Sequence, residues 1–166
     1  KLYFQHGNRD FLIGEQFAAA IGCTLLPEST VIDLYGAPTL LLHGDTLCTD
    51  DVDYQQIRKE LRHPQWQQVF LALPLEERIR QAQAMRAQSQ AKQQVRDYLV
   101  DVNQQTVQAV LQAAGVRYLI HGHTHRPAIH EWQTDGVFYQ RIVLGDWHAA
   151  SASFLRVDVN SVELSY

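Results

Sequence analysis

Cysteine is nearly absent from this chain: Cys23 and Cys48 stand alone, without C-x-x-C spacing. That argues against a disulfide scaffold and for two reduced thiols used as small core fillers. Long apolar runs are also missing, since nothing approaches the roughly 20 residues of a spanning helix. No charged-then-apolar leader opens the sequence, so the expectation is a soluble or membrane-peripheral protein. An excess of positive charge is lacking as well. The net charge is −4 and the Lys and Arg residues are scattered, so the basic footprint of a nucleic-acid-binding surface is not there and nucleic acid is not an expected partner. Internal repeats and flexible linkers are not seen. The first residue is Lys1 rather than Met, and "KLYF" already reads as strand; the expectation is that sequence upstream of Lys1 has been lost.

What remains is a chain of 166 residues with 46% apolar side chains, enough to bury the core of one domain. "LYF" reads as a strand, "QHGNRDFLIG" as a loop and "EQFAAAIG" as a short helix stopped at Gly22. "STVIDLYGAPTLLLHGD" reads as two β-rich runs folded into a hairpin around Gly36-Ala37-Pro38. From Asp51 to Ala114 the text turns helical. Tyr54, Ile57 and Leu61 form one apolar stripe, and Trp66, Val69, Phe70 and Leu73 another, with Pro64 and Pro74 dividing the helices. "LEERIRQAQAMRAQSQAKQQ" is polar, with only Leu75, Ile79 and Met85 to bury, which suits a solvated helix or a lid. Val107, Val110, Leu111 and Ala114 make an apolar face that ends at Gly115, before the strand "VRYLI". Asp135-Gly136 signals a second hairpin, and "ASFLRVDVNSVELSY" alternates as an antiparallel pair does.

Chemistry concentrates at the ends of the apolar runs. "LIHGHTHRP" puts His123 and His125 on a loop past a strand, with Gly122 allowing a tight path; neutral imidazole is the commonest protein metal ligand. A solvated turn would also accommodate them. "LLHGD" adds His43 at another strand end, and "HGNRD" adds Asn8, whose carboxamide oxygen is a modest ligand for a hard ion or an ordinary turn residue. Asn8, His43, His123 and His125 make a mixed N/O donor set that suits Mn²⁺, Fe²⁺ or Zn²⁺ in a catalytic centre. His6, His63, His130 and His148 carry no motif and read as structural or solvated.

The order G-N-x-D, then H, then G-H-x-H resembles the second half of the calcineurin-like metallophosphoesterase signature. Most members have G-N-H-D, whereas this chain has Gly7-Asn8-Arg9-Asp10. With "LLHGDTLCTDD", "DVNQ" and "LIHGHTHRPAIH", that variant resembles the branch acting on UDP-2,3-diacylglucosamine in the bacterial lipid A pathway, over essentially the whole chain. The resemblance implies an α/β fold of layered α+β type: a β-sandwich with flanking helices, a helical lid insert over about residues 51–102, and the N-terminal strands missing. It implies a single partial domain over residues 1–166. It implies cleavage of the substrate pyrophosphate to 2,3-diacylglucosamine 1-phosphate and UMP with two Mn²⁺, at the cytoplasmic face of the inner membrane, on an amphiphilic UDP-sugar lipid. Asn8, His43 and His123 would bind one metal and His125 the other. Arg9, in place of the usual histidine, would be a fixed charge on the substrate phosphate, unless it is an ordinary surface arginine. Asn8, Arg9, Asp51, Ser89, Lys92, Arg96 and His123 would contact substrate. Trp66, Phe70, Leu71 and Leu73 would line a lipid groove or simply pack a core.

The departures matter as much. The full signature begins with D-x-H and G-D-x-x-D, and neither is present: "VIDLYG" has D-x-Y, and "HGDTLC" has Cys48 at the second acidic position. The bridging carboxylate is among the absent ligands. Two imidazoles and an amide hold Mn²⁺ weakly without carboxylate charge, and His125 is expected to be an orphan. Exposed strand edges and apolar faces are expected to make the chain poorly stable or aggregation-prone. Two other functions stay open: a non-catalytic nucleotide- or lipid-binding module, and a pyrophosphatase for another nucleotide conjugate.

Overall fold

A computed structural model describes residues 1–93 and 101–166, with the backbone alone for 90–93. In chain order its helices are α1 (Glu15–Ala20), α2 (Val52–Leu61), α3 (Pro64–Ala72), α4 (Leu75–Gln93) and α5 (Gln104–Ala114). Its strands are β1 (Leu2–Gln5), β2 (Cys23–Leu26), β3 (Ser29–Leu34), β4 (Ala37–Leu42), β5 (Tyr118–His121), β6 (Ala128–Thr134), β7 (Val137–Val143), β8 (Phe154–Val157) and β9 (Val162–Ser165). Two compact units result: Lys1–Leu47 with Val102–Tyr166, and Cys48–Asp101.

The first unit is a layered α+β fold around a mixed five-stranded sheet in the order β3-β4-β5-β7-β6. Strand β5 lies parallel to both β4 and β7, while β3–β4 and β6–β7 are antiparallel hairpins. Each hairpin closes on two residues with positive φ, Tyr35-Gly36 and Asp135-Gly136. That backbone matches the twist of the flanking strands, and Gly takes it without Cβ strain. The first turn therefore lies one residue earlier than Gly36-Ala37-Pro38, and Ala37 and Pro38 belong to β4, where Pro38 stands opposite Asp33. A second departure from the sequence reading is β2. Its "CTLL" pairs in parallel with β1, Leu2 opposite Cys23, through the connection that carries α1. Among the described residues no sheet closes into a barrel.

Helix α5 supplies the core. Asn103 Oδ1 accepts the Gln105 and Thr106 amides at its start, and Gly115 ends it in the left-handed region with φ 66°. Val107 and Leu111 are fully buried with Leu40, Leu42, Leu47, Val116 and Leu119. Leu40 and Leu119 are register partners on β4 and β5, so the helix covers the centre of the sheet. Burying each leucine contributes about 1.5–3 kcal/mol. Elsewhere the unit leaves apolar surface open: Leu2, Tyr3, Val31, Trp147 and Phe154 are exposed. A cavity of about 540 Å³ is lined by Leu34, Ile120, Leu144, Trp147, Phe154 and Leu155 among others.

The second unit is helical. Asp51 caps α2 by accepting the Tyr54 amide, and His63 Nδ1 caps α3, which starts on Pro64. Trp66 and Phe70, one turn apart on α3, stack with ring centroids 4.9 Å apart, and Phe70 is buried. On α4, Glu77 pairs with Arg80 and Gln81 on the helix surface. No helix of the described residues is long and apolar enough to cross a membrane.

Candidate functional site

Asn8 lies in the turn after β1, a turn tied down by Asp10 Oδ1, which accepts the Gly7 amide at 2.5 Å. His43 is the first residue beyond β4, and His123 comes two residues after β5. Because β4 and β5 are parallel neighbours, their C-terminal ends leave the sheet at the same edge. His43 Nε2 stands 3.3 Å from Asn8 Oδ1. The His43 and His123 rings meet edge to face, with centroids 5.1 Å apart and 71° between planes. A Cβ on Gly7 would sit 2.9 Å from His43 Cε1, so the glycine of G-N-x-D is what lets the imidazole reach Asn8. His123 itself holds φ at 68°, a conformation a non-glycine residue adopts only where its surroundings enforce it.

Three donors thus face one another, an amide oxygen and two imidazoles, all half-buried. Their chemistry fits one side of a divalent-ion site but brings no anionic ligand. Among the described residues no group of three or more His, Cys, Asp or Glu side chains comes together to hold an ion. The fit is partial.

The chain is 50% identical over 163 residues to the UDP-2,3-diacylglucosamine hydrolase of Serratia proteamaculans, a match that covers 98% of the chain and 68% of that relative. A protein of the same name from Nitrosococcus oceani is 55% identical over 147 residues, 88% of the chain and 59% of the relative. The Chromohalobacter salexigens protein of that name is 50% identical over 159 residues, 95% of the chain and 65% of the relative. The chain belongs to the UDP-2,3-diacylglucosamine hydrolase family. It spans about two thirds of the length of these curated relatives. No protein-family model matches it.

For a member of this family, the remaining polar residues divide clearly. His125 is not an orphan: its Nδ1 lies 3.3 Å from Asp146 Oδ2, and His148 Nε2 reaches the same oxygen at 3.0 Å. The sequence reading passed over Asp146 and set His148 aside as structural or solvated, whereas His148 shares the Asp146 carboxylate with His125. The available signal was the strand end "VLGDW", where Asp146 follows β7 as His43 follows β4. His6 Nε2 donates to the Ile13 carbonyl at 2.7 Å. Arg9 is exposed in the turn beside Asn8. In the helical unit, Asp51 is half-buried and spends one carboxylate oxygen on capping α2, and Ser89 is exposed on α4. Lys92 falls in α4, where only the backbone is described, and Arg96 lies outside the described residues.

Proposed function

We propose that the chain serves metal-dependent hydrolysis of the pyrophosphate bond of UDP-2,3-diacylglucosamine, yielding 2,3-diacylglucosamine 1-phosphate (lipid X) and UMP in lipid A biosynthesis. The observation that carries this is the convergence of Asn8, His43 and His123 from three separate strand ends in a chain whose relatives bear that substrate in their name. Water adds across the anhydride: its oxygen bonds to one phosphorus, the P–O–P bridge breaks, and the leaving phosphate takes up the charge and a proton.

A bound divalent metal, for which Mn²⁺ is our reading, would activate the water and offset charge at phosphorus. Asn8 Oδ1 and ring nitrogens of His43 and His123 are the groups that would hold it, and His125 would serve a second ion. Arg9, always protonated, would fix a phosphate oxygen and cannot itself donate a proton. Asp51, Ser89, Lys92 and Arg96 would contact the polar head of the substrate. An amphiphilic substrate of this kind supports work at the cytoplasmic face of the inner membrane, with the helical unit as the lid over the acyl chains.

The test is UMP release from UDP-2,3-diacylglucosamine with and without Mn²⁺. His43→Ala and His123→Ala are each expected to cost more than the about 10–100-fold typical of a change outside the ligand set. Turnover that ignores both Mn²⁺ and His43 would sink the reading. Among the described residues no three His, Cys, Asp or Glu side chains group to hold an ion, which favours a second reading for the chain by itself, a binding module that retains nucleotide or lipid without hydrolysing it; binding of the intact substrate with no UMP released would support that.

A further inference from the structure

We propose that Arg141 and His121, a buried pair beneath the donor set, are positioning residues that lock the loops carrying His43 and His123. The metal part of this proposal rests on the function proposed above. Strand register brings the two together: on the parallel pair β5–β7, Leu119 stands opposite Arg141 and His121 opposite Val143. Both residues are almost completely buried, His121 at 1% exposure and Arg141 at 5%.

Arg141 Nη1 lies 3.1 Å from His121 Nε2. A guanidinium carries only donors, so Nε2 must present its lone pair. The ring proton then belongs on Nδ1, which donates to the Gly122 carbonyl at 2.8 Å. One tautomer is thereby selected by a group that cannot lose its own proton. That tautomer grips the peptide leading into His123. The Gly122 carbonyl also accepts the Thr124 amide at 2.8 Å, while the Gly122 amide donates to the carbonyl of His43 at 2.9 Å. The His121 carbonyl accepts the Leu144 amide at 2.7 Å. A continuous set of hydrogen bonds therefore runs from Arg141 through His121 and Gly122 to the backbone of His43. Neither Arg141 nor His121 belongs to the three converging donors.

Gly44 makes the arrangement possible. It holds φ at 111°, and a Cβ there would lie 2.7 Å from His121 Nδ1 and 2.9 Å from the Gly122 carbonyl oxygen. The residue after His43 must therefore be small for the His121 ring to lie against the Gly122 peptide. Groups that orient ligands from behind commonly change metal affinity about 10–100-fold when removed.

The experiment is long-range ¹H–¹⁵N NMR of the imidazoles in the chain and in Arg141→Met and Arg141→Lys, each with a Mn²⁺ titration. The expected result is His121 in the Nδ1–H tautomer in the unaltered chain. Arg141→Met is expected to mix the tautomers, shift the His43 and His123 ring signals and weaken their Mn²⁺ broadening about 10–100-fold. Arg141→Lys, which keeps a cationic donor, is expected to restore the tautomer and most of the broadening. A Nε2–H tautomer in the unaltered chain overturns the proposal. So do His43 and His123 rings that ignore Arg141→Met, or a Lys variant as disturbed as the Met variant. If Arg141→Met does not fold, the unaltered tautomer and the Lys comparison decide. Mn²⁺ that broadens neither ring in the unaltered chain sinks the metal reading alone, and the ring shifts then decide the positioning role.

Discussion

Replacing Gly44 with alanine tests whether the strand-end loops are as tightly interlocked as their geometry implies. The backbone there has φ 111°, which an L-residue adopts only with strain of about 1–3 kcal/mol. The new Cβ would also stand 2.9 Å from the Gly122 carbonyl oxygen and 2.7 Å from His121 Nδ1. Neither neighbour is a loose side-chain end. Gly122 is tied to the His43 carbonyl, and His121 is wedged between Gly122 and Arg141. Crowding in such a site costs a further 1–3 kcal/mol or so, for a total of about 2–6 kcal/mol. Gly36→Ala is the control: φ is 86°, but nothing lies within 4 Å of the added carbon, so only backbone strain applies. Urea unfolding followed by far-ultraviolet circular dichroism reads both. With a slope of about 2 kcal/mol per molar urea, the Gly44→Ala midpoint falls by about 1–3 M. A chain already unfolded without urea meets the expectation too. Equal midpoints for the two variants would refute the reasoning, because strain would then be the whole effect.

Leu111→Ala, at a fully buried position of α5, is expected to cost about 2–5 kcal/mol, against a few tenths for an exposed change such as Gln112→Ala, again by urea titration. Asn103→Ala removes the oxygen that accepts two amides at the start of α5 and is expected to cost about 1 kcal/mol; no measurable loss would show the cap to be dispensable. Asp158 has its carboxyl held below its ordinary value by the Asn160 amide and the Ser161 hydroxyl. A lowered folded pKa means stability that is present above the ordinary pKa and lost as pH falls through the folded one. The NMR shift of the Asn160 amide should therefore report the Asp158 carboxyl with a midpoint below the ordinary aspartate value, and a midpoint at or above that value would contradict the assignment. An environment-sensitive apolar dye should fluoresce with the folded chain by entering the cavity at Ile120, Leu144 and Leu155, and Leu155→Asp should quench it; unchanged fluorescence would place the dye elsewhere.

Order and type of most elements were legible because they depend on near neighbours. The i, i+3, i+4 spacing of Val107, Val110 and Leu111 demands a helix whatever it packs against, and Asn103 and Gly115 mark its ends. Asp135-Gly136 specifies a tight hairpin by backbone freedom alone. The placement of Asn8, His43 and His123 was legible for a similar reason. Each follows an apolar run, and the motif order identifies them as one set.

Pairing across the chain was not legible. Nothing in "CTLL" announces a strand, because its partner β1 is reached through a loop and a helix, and parallel pairing leaves no turn signal between the two. The same limit hid Asp146 and Arg141. His125 acquires its carboxylate only because β5 and β7, whose ends carry them, are neighbours in the sheet. His121 closes β5, and only the register of β5 with β7 sets a buried guanidinium against it. Which residues could donate, cap and turn was readable from the chain, since those properties belong to single side chains and short spacings. Which of them meet is a matter of packing, because the parallel order of β4, β5 and β7 is set by burying a shared core beneath α5, and no local spacing encodes it.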